Sequence, residues 1–210
     1  MLEYPSKQDV LAAVQAYNQR YGTEDEGLWR QVNLARDAVR SRNHDALESF
    51  VWRIKVWGRI QGVRHRDSPA MARALLSLGL HRDSSEELFS PGEAEKVAKR
   101  LTELVTASRA EGIEARHFSW SSKILHWLQP ERFPVYDRLV RLHLACENKD
   151  PSVSYQRIVT WQFEVARSLL PHRDTIVGDV HPRTLLRALD KYLWWAGGGA
   201  ESKGSVFTAM

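Results

Sequence analysis

Helix starts and stops punctuate this chain from end to end, and hairpin turns do not occur between alternating apolar runs. Ser6 followed by Asp9 has the form of a capping box, in which side chain and backbone at a helix start satisfy each other. It predicts a first helix reaching about Tyr21. A second is expected over Leu28–Arg40, where Leu28, Val32, Ala35 and Val39 fall at helical spacing. A third is expected over His44–Ile60, with Phe50, Ile54 and Trp57 on one stripe. Ser68-Pro69 pairs a cap with a first-turn proline, and Gly79 ends that fourth helix. Ser90-Pro91 with Glu93 repeats the device for a fifth helix, to about Ala110, stopped at Gly112. A short sixth, Trp120–Leu128, is stopped by Pro130, and Asp137 caps a seventh that ends near Cys146. Asp150-Pro151-Ser152 introduces an eighth, to about Leu170, and His181-Pro182 a ninth, to Trp195. The expectation is an all-α chain of about nine helices. Residues 1–196 are read as a single helical domain, either one compact unit or two lobes sharing a cleft, and residues 197–210 as a flexible tail.

Composition narrows the function classes. No apolar run is long enough to cross a membrane, and the N-terminus lacks the apolar core of a signal peptide, so a cytoplasmic protein is expected. Cys146 is the single cysteine; it excludes an internal disulfide and reads as a buried thiol. The net charge is only +4, but arginine supplies 22 of the 30 basic residues. Arginine grips phosphate as a fork, so this bias favours nucleic acid, although a genome-wide preference for arginine would produce it too. Between Arg53 and Arg82 there are seven basic residues and one acid, Asp67, a candidate phosphate-facing stripe or simply a solvated surface.

Many chemistries have no motif here. There is no P-loop, no GxGxxG, no GxSxG elbow and no HExxH. His65, His81, His172 and His181 lie in expected loops, and His117, His126 and His143 lack a ligand spacing, so no metal and no cofactor is implied.

The segment that carries chemistry is Phe118–Val140, FSWSSKILHWLQPERFPVYDRLV. It places Lys123 on a short amphipathic helix and Asp137, 14 residues on, at the start of the next. If both sit at helix N-terminal ends, they face one cleft, where helix dipoles favour an ionised carboxylate and a deprotonated amine. A lysine nucleophile and a carboxylate suffice to break a glycosidic bond through an oxocarbenium-like transition state. The plainer alternative is that Asp137 is only an N-cap and Lys123 only solvated. Most of the eight tryptophans read as core, with Trp120 the exception, placed to stack on a base.

The same segment resembles the helix-hairpin-helix (HhH-GPD) DNA glycosylase superfamily, and more closely bacterial proteins with an 8-oxoguanine-glycosylase-like fold. Their recurrent phrase, SK-hydrophobic-LHFL-x-P-x-x-FP-hydrophobic-x-D, stands here as Ser122-Lys123-Ile124-Leu125-His126-Trp127-Leu128, Pro130, and Phe133-Pro134-Val135-Tyr136-Asp137. The C-terminal LLRALDKYLWW is similar to these proteins in a less specific way. The resemblance implies that Lys123 attacks the sugar C1′ to form a Schiff base and that Asp137 supports cleavage. It implies a pocket lined by Trp120, His117, Tyr136 and Trp127, and phosphates held by Arg64, Arg66, Arg138, Arg141 and Ser121. Two departures stand out. The Gly-x-Gly turn that precedes the glycosylase lysine is replaced by Ala115-Arg116-His117-Phe118-Ser119-Trp120, and the Lys-to-Asp interval is shorter by about one helical turn. The implied activity is excision of a flipped, damaged or modified base from DNA, in repair or phage defence, with AP-lyase activity open. The alternatives are a non-catalytic DNA- or protein-binding helical module that keeps the fold, and a glycosidase on free nucleosides.

Overall fold

Ser6 starts helix α1 as the capping box requires: its Oγ accepts from the Asp9 N–H at 3.2 Å, and the Asp9 carboxylate accepts from the Ser6 N–H at 2.8 Å. In the computed structural model, which describes residues 3–79, 89–114, 117–146, 149–178 and 183–199, α1 then runs unbroken over Lys7–Arg40. The expected break between Tyr21 and Leu28 does not occur. Gly22 and Gly27 each weaken a helix by about 0.5–1 kcal/mol relative to alanine. Burial of Tyr17, Leu28 and Trp29 on the same helix outweighs that, since one large apolar side chain contributes about 1.5–3 kcal/mol.

Helix α2, His44–Trp57, is capped by Asn43, whose side chain accepts from the Ala46 N–H at 3.1 Å. It stops three residues before the expected Ile60. The Arg59 N–H bonds the Val56 carbonyl and the Ile60 N–H bonds the Lys55 carbonyl, both at 3.1 Å, while Arg59 takes φ 48°. This is the closing pattern in which glycine is the usual left-handed residue. Helix α3, Ser68–Leu78, has Asp67 rather than the expected Ser68 in the cap position, with no side-chain cap bond, and ends at Gly79 with φ 60°. Ser90 caps α4, Pro91–Ala110, by accepting from the Glu93 N–H.

Helix α5, Phe118–Leu128, starts two residues earlier than the sequence suggested, and all of it except Ser119 is buried. Asp137 caps α6, Arg138–His143, which is shorter than expected. Asp150 caps α7, Pro151–Leu169. A 3-10 turn over Leu170–His172 and the short helix α8, Arg173–Ile176, follow where no element was foreseen. Thr184 caps α9, Leu185–Trp194; the expected start at His181-Pro182 lies outside the described residues. One π-turn, Trp195–Gly199, continues α9, and the expected tail beyond it, residues 200–210, is also outside them.

The described residues are thus helical with no strand, and no helix among them is long and apolar enough to cross a membrane. One cluster of buried apolar side chains draws on all of α1 to α9, with α5 threaded through it. Trp127, fully buried, meets Trp29 of α1 and Trp57 of α2 edge-on, each at 5.2 Å between ring centres. Around this centre α1, the end of α2, α5, α6 and α9 converge on one cleft.

Candidate active site

The cleft has a volume of about 580 Å³, within the range of small-molecule and cofactor sites. Lys123 and Asp137 meet in it, Nζ to Oδ2 at 2.7 Å. The lysine comes from the middle of α5, not from its N-terminal end as expected, and its side chain is 7 % exposed against 31 % for the aspartate. Its Nζ also lies 3.4 Å from the Gly58 carbonyl at the end of α2. Only glycine fits there: a Cβ on residue 58 would stand 2.9 Å from Lys123 Cδ and 3.0 Å from the Ile54 carbonyl oxygen. The two oxygens of Asp137 have separate tasks. Oδ1 accepts from the Leu139 N–H at 3.1 Å, capping α6, and Oδ2 takes the lysine. Burial pushes the Asp137 carboxyl up, but the Lys123 charge and the hydrogen bonds outweigh it and hold the group below its usual value. An ammonium in direct contact with a carboxylate can hand over a proton without any movement of the chain.

Beneath this pair lies a second charge cluster that sequence reasoning did not find. Arg187 on α9 donates through Nη2 to both oxygens of Asp25 on α1, at 2.8 and 2.7 Å, and approaches the Tyr17 hydroxyl at 2.9 Å. Its Nη1 donates to Oδ2 of Asp190. Lys191 adds contacts to Asp25 at 3.2 Å and to the Asn18 side-chain oxygen. The Arg187 guanidinium sits between the rings of Tyr17, Trp57 and Trp127, 5.0 to 5.4 Å from their centres, and is itself fully buried. Burial works against its charge, but Asp25, Tyr17 and Asp190 prevail and keep it firmly protonated. Asp25 is raised by burial and lowered further by Arg187 and Lys191, so it stays ionised. Burial and Arg187 bring Lys191 down to about 8. Asp190 is pushed up to about 6, first by burial and then, against the pull of Arg187, by the Asp137 charge.

The cleft walls are aromatic. Trp194 meets Tyr17 and Tyr21 edge-on at 5.2 and 5.4 Å, and Trp57, at the end of α2, also lines the cleft. Arg59 lines the cleft too, with its guanidinium 5.7 Å from the Tyr21 ring centre.

Several residues expected at the site stand elsewhere. Trp120 is fully buried and its indole N–H donates to the Val51 carbonyl at 3.2 Å, so it has no face to offer a base. Trp127 lies behind Trp57 in the core. Tyr136 is buried against Phe118 and Tyr155 and does not line the cleft. His117 is at the start of α5, edge-on to Trp120 and away from the cleft lining; burial pulls its pKa down. Ser121 is fully buried and cannot reach a phosphate. Arg64 and Arg66 are exposed in the turn before α3, and Arg138 is exposed beside Asp137. Arg141 is half-buried, its guanidinium 5.1 Å from the Tyr136 ring centre. His126, on the buried helix α5, is itself fully buried, its Nδ1–H donating to the Phe133 carbonyl at 2.7 Å.

The signal that could have revealed the missed cluster was present. Arg187, Asp190 and Lys191 fall at positions i, i+3 and i+4 of an otherwise apolar helix, which places three charges on one face that must find partners if buried. As for metals, one grouping of potential ligands occurs among the described residues, His44, Asp45 and Glu48 in the first turns of α2, outside the cleft lining. A scan against protein-family models gives no match, and comparison with characterised proteins and with solved structures gives none either.

Proposed function

We propose that the protein is a DNA N-glycosylase acting on a flipped, damaged or modified base, with Lys123 as nucleophile and Asp137 as its proton acceptor. The observation that carries the reading is the Lys123–Asp137 contact at 2.7 Å inside an aromatic-walled cleft. Transfer of the Nζ proton to Asp137 yields an amine that attacks C1′, and the resulting Schiff base accounts for AP-lyase activity. Edge-packed Tyr17, Tyr21 and Trp194 with Trp57 offer flat apolar surface of the kind that holds an unstacked base. Arg59, Arg64, Arg66 and Arg138 supply positive charge for the phosphate backbone. The sequence phrase around Lys123 resembles that of the helix-hairpin-helix glycosylases, and the reading agrees with it.

A second reading has an observation in its favour. Lys123 is nearly enclosed and already neutralised by Asp137, as a structural ion pair in a DNA- or protein-binding module would be. Borohydride trapping separates the two. The protein is mixed with duplexes carrying oxidised, deaminated, alkylated or glucosylated bases or an abasic site, beside a Lys123→Ala control. A covalent adduct lost in the control is the expected result. Absence of both adduct and base release across the set rejects the glycosylase in favour of the binding module.

A further inference from the structure

We infer that Asp190 is a second catalytic carboxyl of the cleft, the acid that delivers a proton to the departing base. The inference rests on the glycosylase reading and extends it to a residue outside the motif that suggested it.

The geometry comes first. Asp190 lines the same cleft as Lys123 and Asp137, approaching from α9 while they come from α5 and the start of α6. Arg187 holds one of its oxygens, Oδ2, and Oδ1 takes no part in that contact. Arg187 cannot drift, because Asp25 grips it through two contacts and three aromatic rings enclose it. The carboxyl is therefore aimed by a fixed arm, the arrangement that a general acid needs. Asp25 is shared between Arg187 and Lys191, so Asp190 balances the second charge of the cluster and at the same time borders the cleft.

The electrostatics agree. Burial favours the protonated form, Asp137 and Asp25 add to that, and Arg187 and Lys123 oppose it, so that Asp190 holds its proton up to about pH 6 while Asp137 stays ionised. Tyr17 and Glu24 of α1, and Arg59, also line the cleft; no charged group of α7 or α8 among the described residues does. Two carboxyls whose surroundings drive them apart are suited to opposite roles, one accepting a proton and the other donating.

The step balances. Lys123 Nζ passes a proton to Asp137 Oδ2 and forms a bond to C1′. The C1′–N glycosidic bond breaks, its electron pair goes to the base nitrogen, and the Asp190 proton joins that nitrogen. Base leaves neutral, Asp190 is left as a carboxylate beside Arg187, and water restores its proton.

The test compares two probes that share the nucleophile and differ in the leaving group. An abasic-site duplex needs Lys123 but has no base to protonate; the base-bearing duplexes need both. Asp190→Asn, which keeps an oxygen for Arg187, should lower base release about 100-fold more than it lowers adduct formation at the abasic site. In the wild type the ratio of base release to abasic adduct should fall as pH rises above 6, and Asp190→Asn should abolish that fall. Equal loss on both probes would make Asp190 a structural group and overturn the assignment, as would retention of both. Wild-type adduct at the abasic site without base release from any duplex would also overturn it while leaving Lys123 as an amine nucleophile. No lysine-dependent adduct on either probe would instead reject the parent reading.

Discussion

At the residue scale the molecule depends on a few buried charges with long-range partners. Asp25 and Arg187 are fully buried and 162 residues apart in the chain. Removing one partner of such a pair leaves the other uncompensated and destabilises a protein by about 3–5 kcal/mol. Asp25→Ala should lose that much in urea unfolding; a loss below about 1 kcal/mol would mean that Asp190 takes over Arg187 unaided. Lys123 and Asp137 pose the complementary case, because both residues stand out in the sequence although their direct contact does not. An interval of 14 residues broken by prolines lets the chain turn back, and an N-cap position fixes where the carboxylate points. What could not be read was the depth of Lys123 or the carbonyl of Gly58 beside it.

At the scale of elements, capping was legible and interruption was not. Caps at Ser6, Ser90, Asp137 and Asp150 stand where their side chains implied, since a cap involves only groups within three residues. The long helix α1 crosses two glycines because contacts to α9 and α2 hold it, which local propensity cannot register. Gly27 has nothing within 4 Å of the position a Cβ would take. Gly27→Ala should therefore stabilise the protein by about 0.5–1 kcal/mol, seen as a rise of about 1–4 °C in Tm. Gly58→Ala should do the opposite to function. The added methyl displaces the Lys123 side chain, and adduct formation should fall about 10- to 100-fold, with trapping of Lys123 as the measurement.

At the scale of the whole molecule, pH and salt act on different parts. Burial, assisted by Arg187, drives His126 down to about 3, against about 6.5 in an unfolded chain. Between those values the unfolded state binds a proton that the folded state does not, so stability falls as pH drops below 6.5, by up to about 1.4 kcal/mol per unit. Asp190 has the reverse sign: it keeps its proton to about pH 6 when folded but only to about 3.9 unfolded, so its contribution falls as pH rises through that window. His126→Gln should remove the first dependence and Asp190→Asn the second in urea unfolding measured from pH 4 to 7. Salt reports on the surface. If DNA is the partner, affinity should fall steeply with salt, and Arg64→Ala with Arg66→Ala should flatten the slope by about 2 while weakening all sequences alike.

By itself the amino-acid sequence determined the all-helical class and most helix starts, because each depends on residues close along the chain; it singled out Lys123 and Asp137 but not the contact between them. Only the tertiary structure decided which aromatic rings face the cleft and which fill the core. Trp120 is fully buried on α5 while Trp194 at the end of α9 lines the cleft, and the difference follows from what packs against each. The tertiary structure likewise joined Asp25 to Arg187 and brought Asp190 to the same cleft. Burial makes an unpaired charge costly wherever its partner lies in the sequence, and no local pattern records where that partner will be.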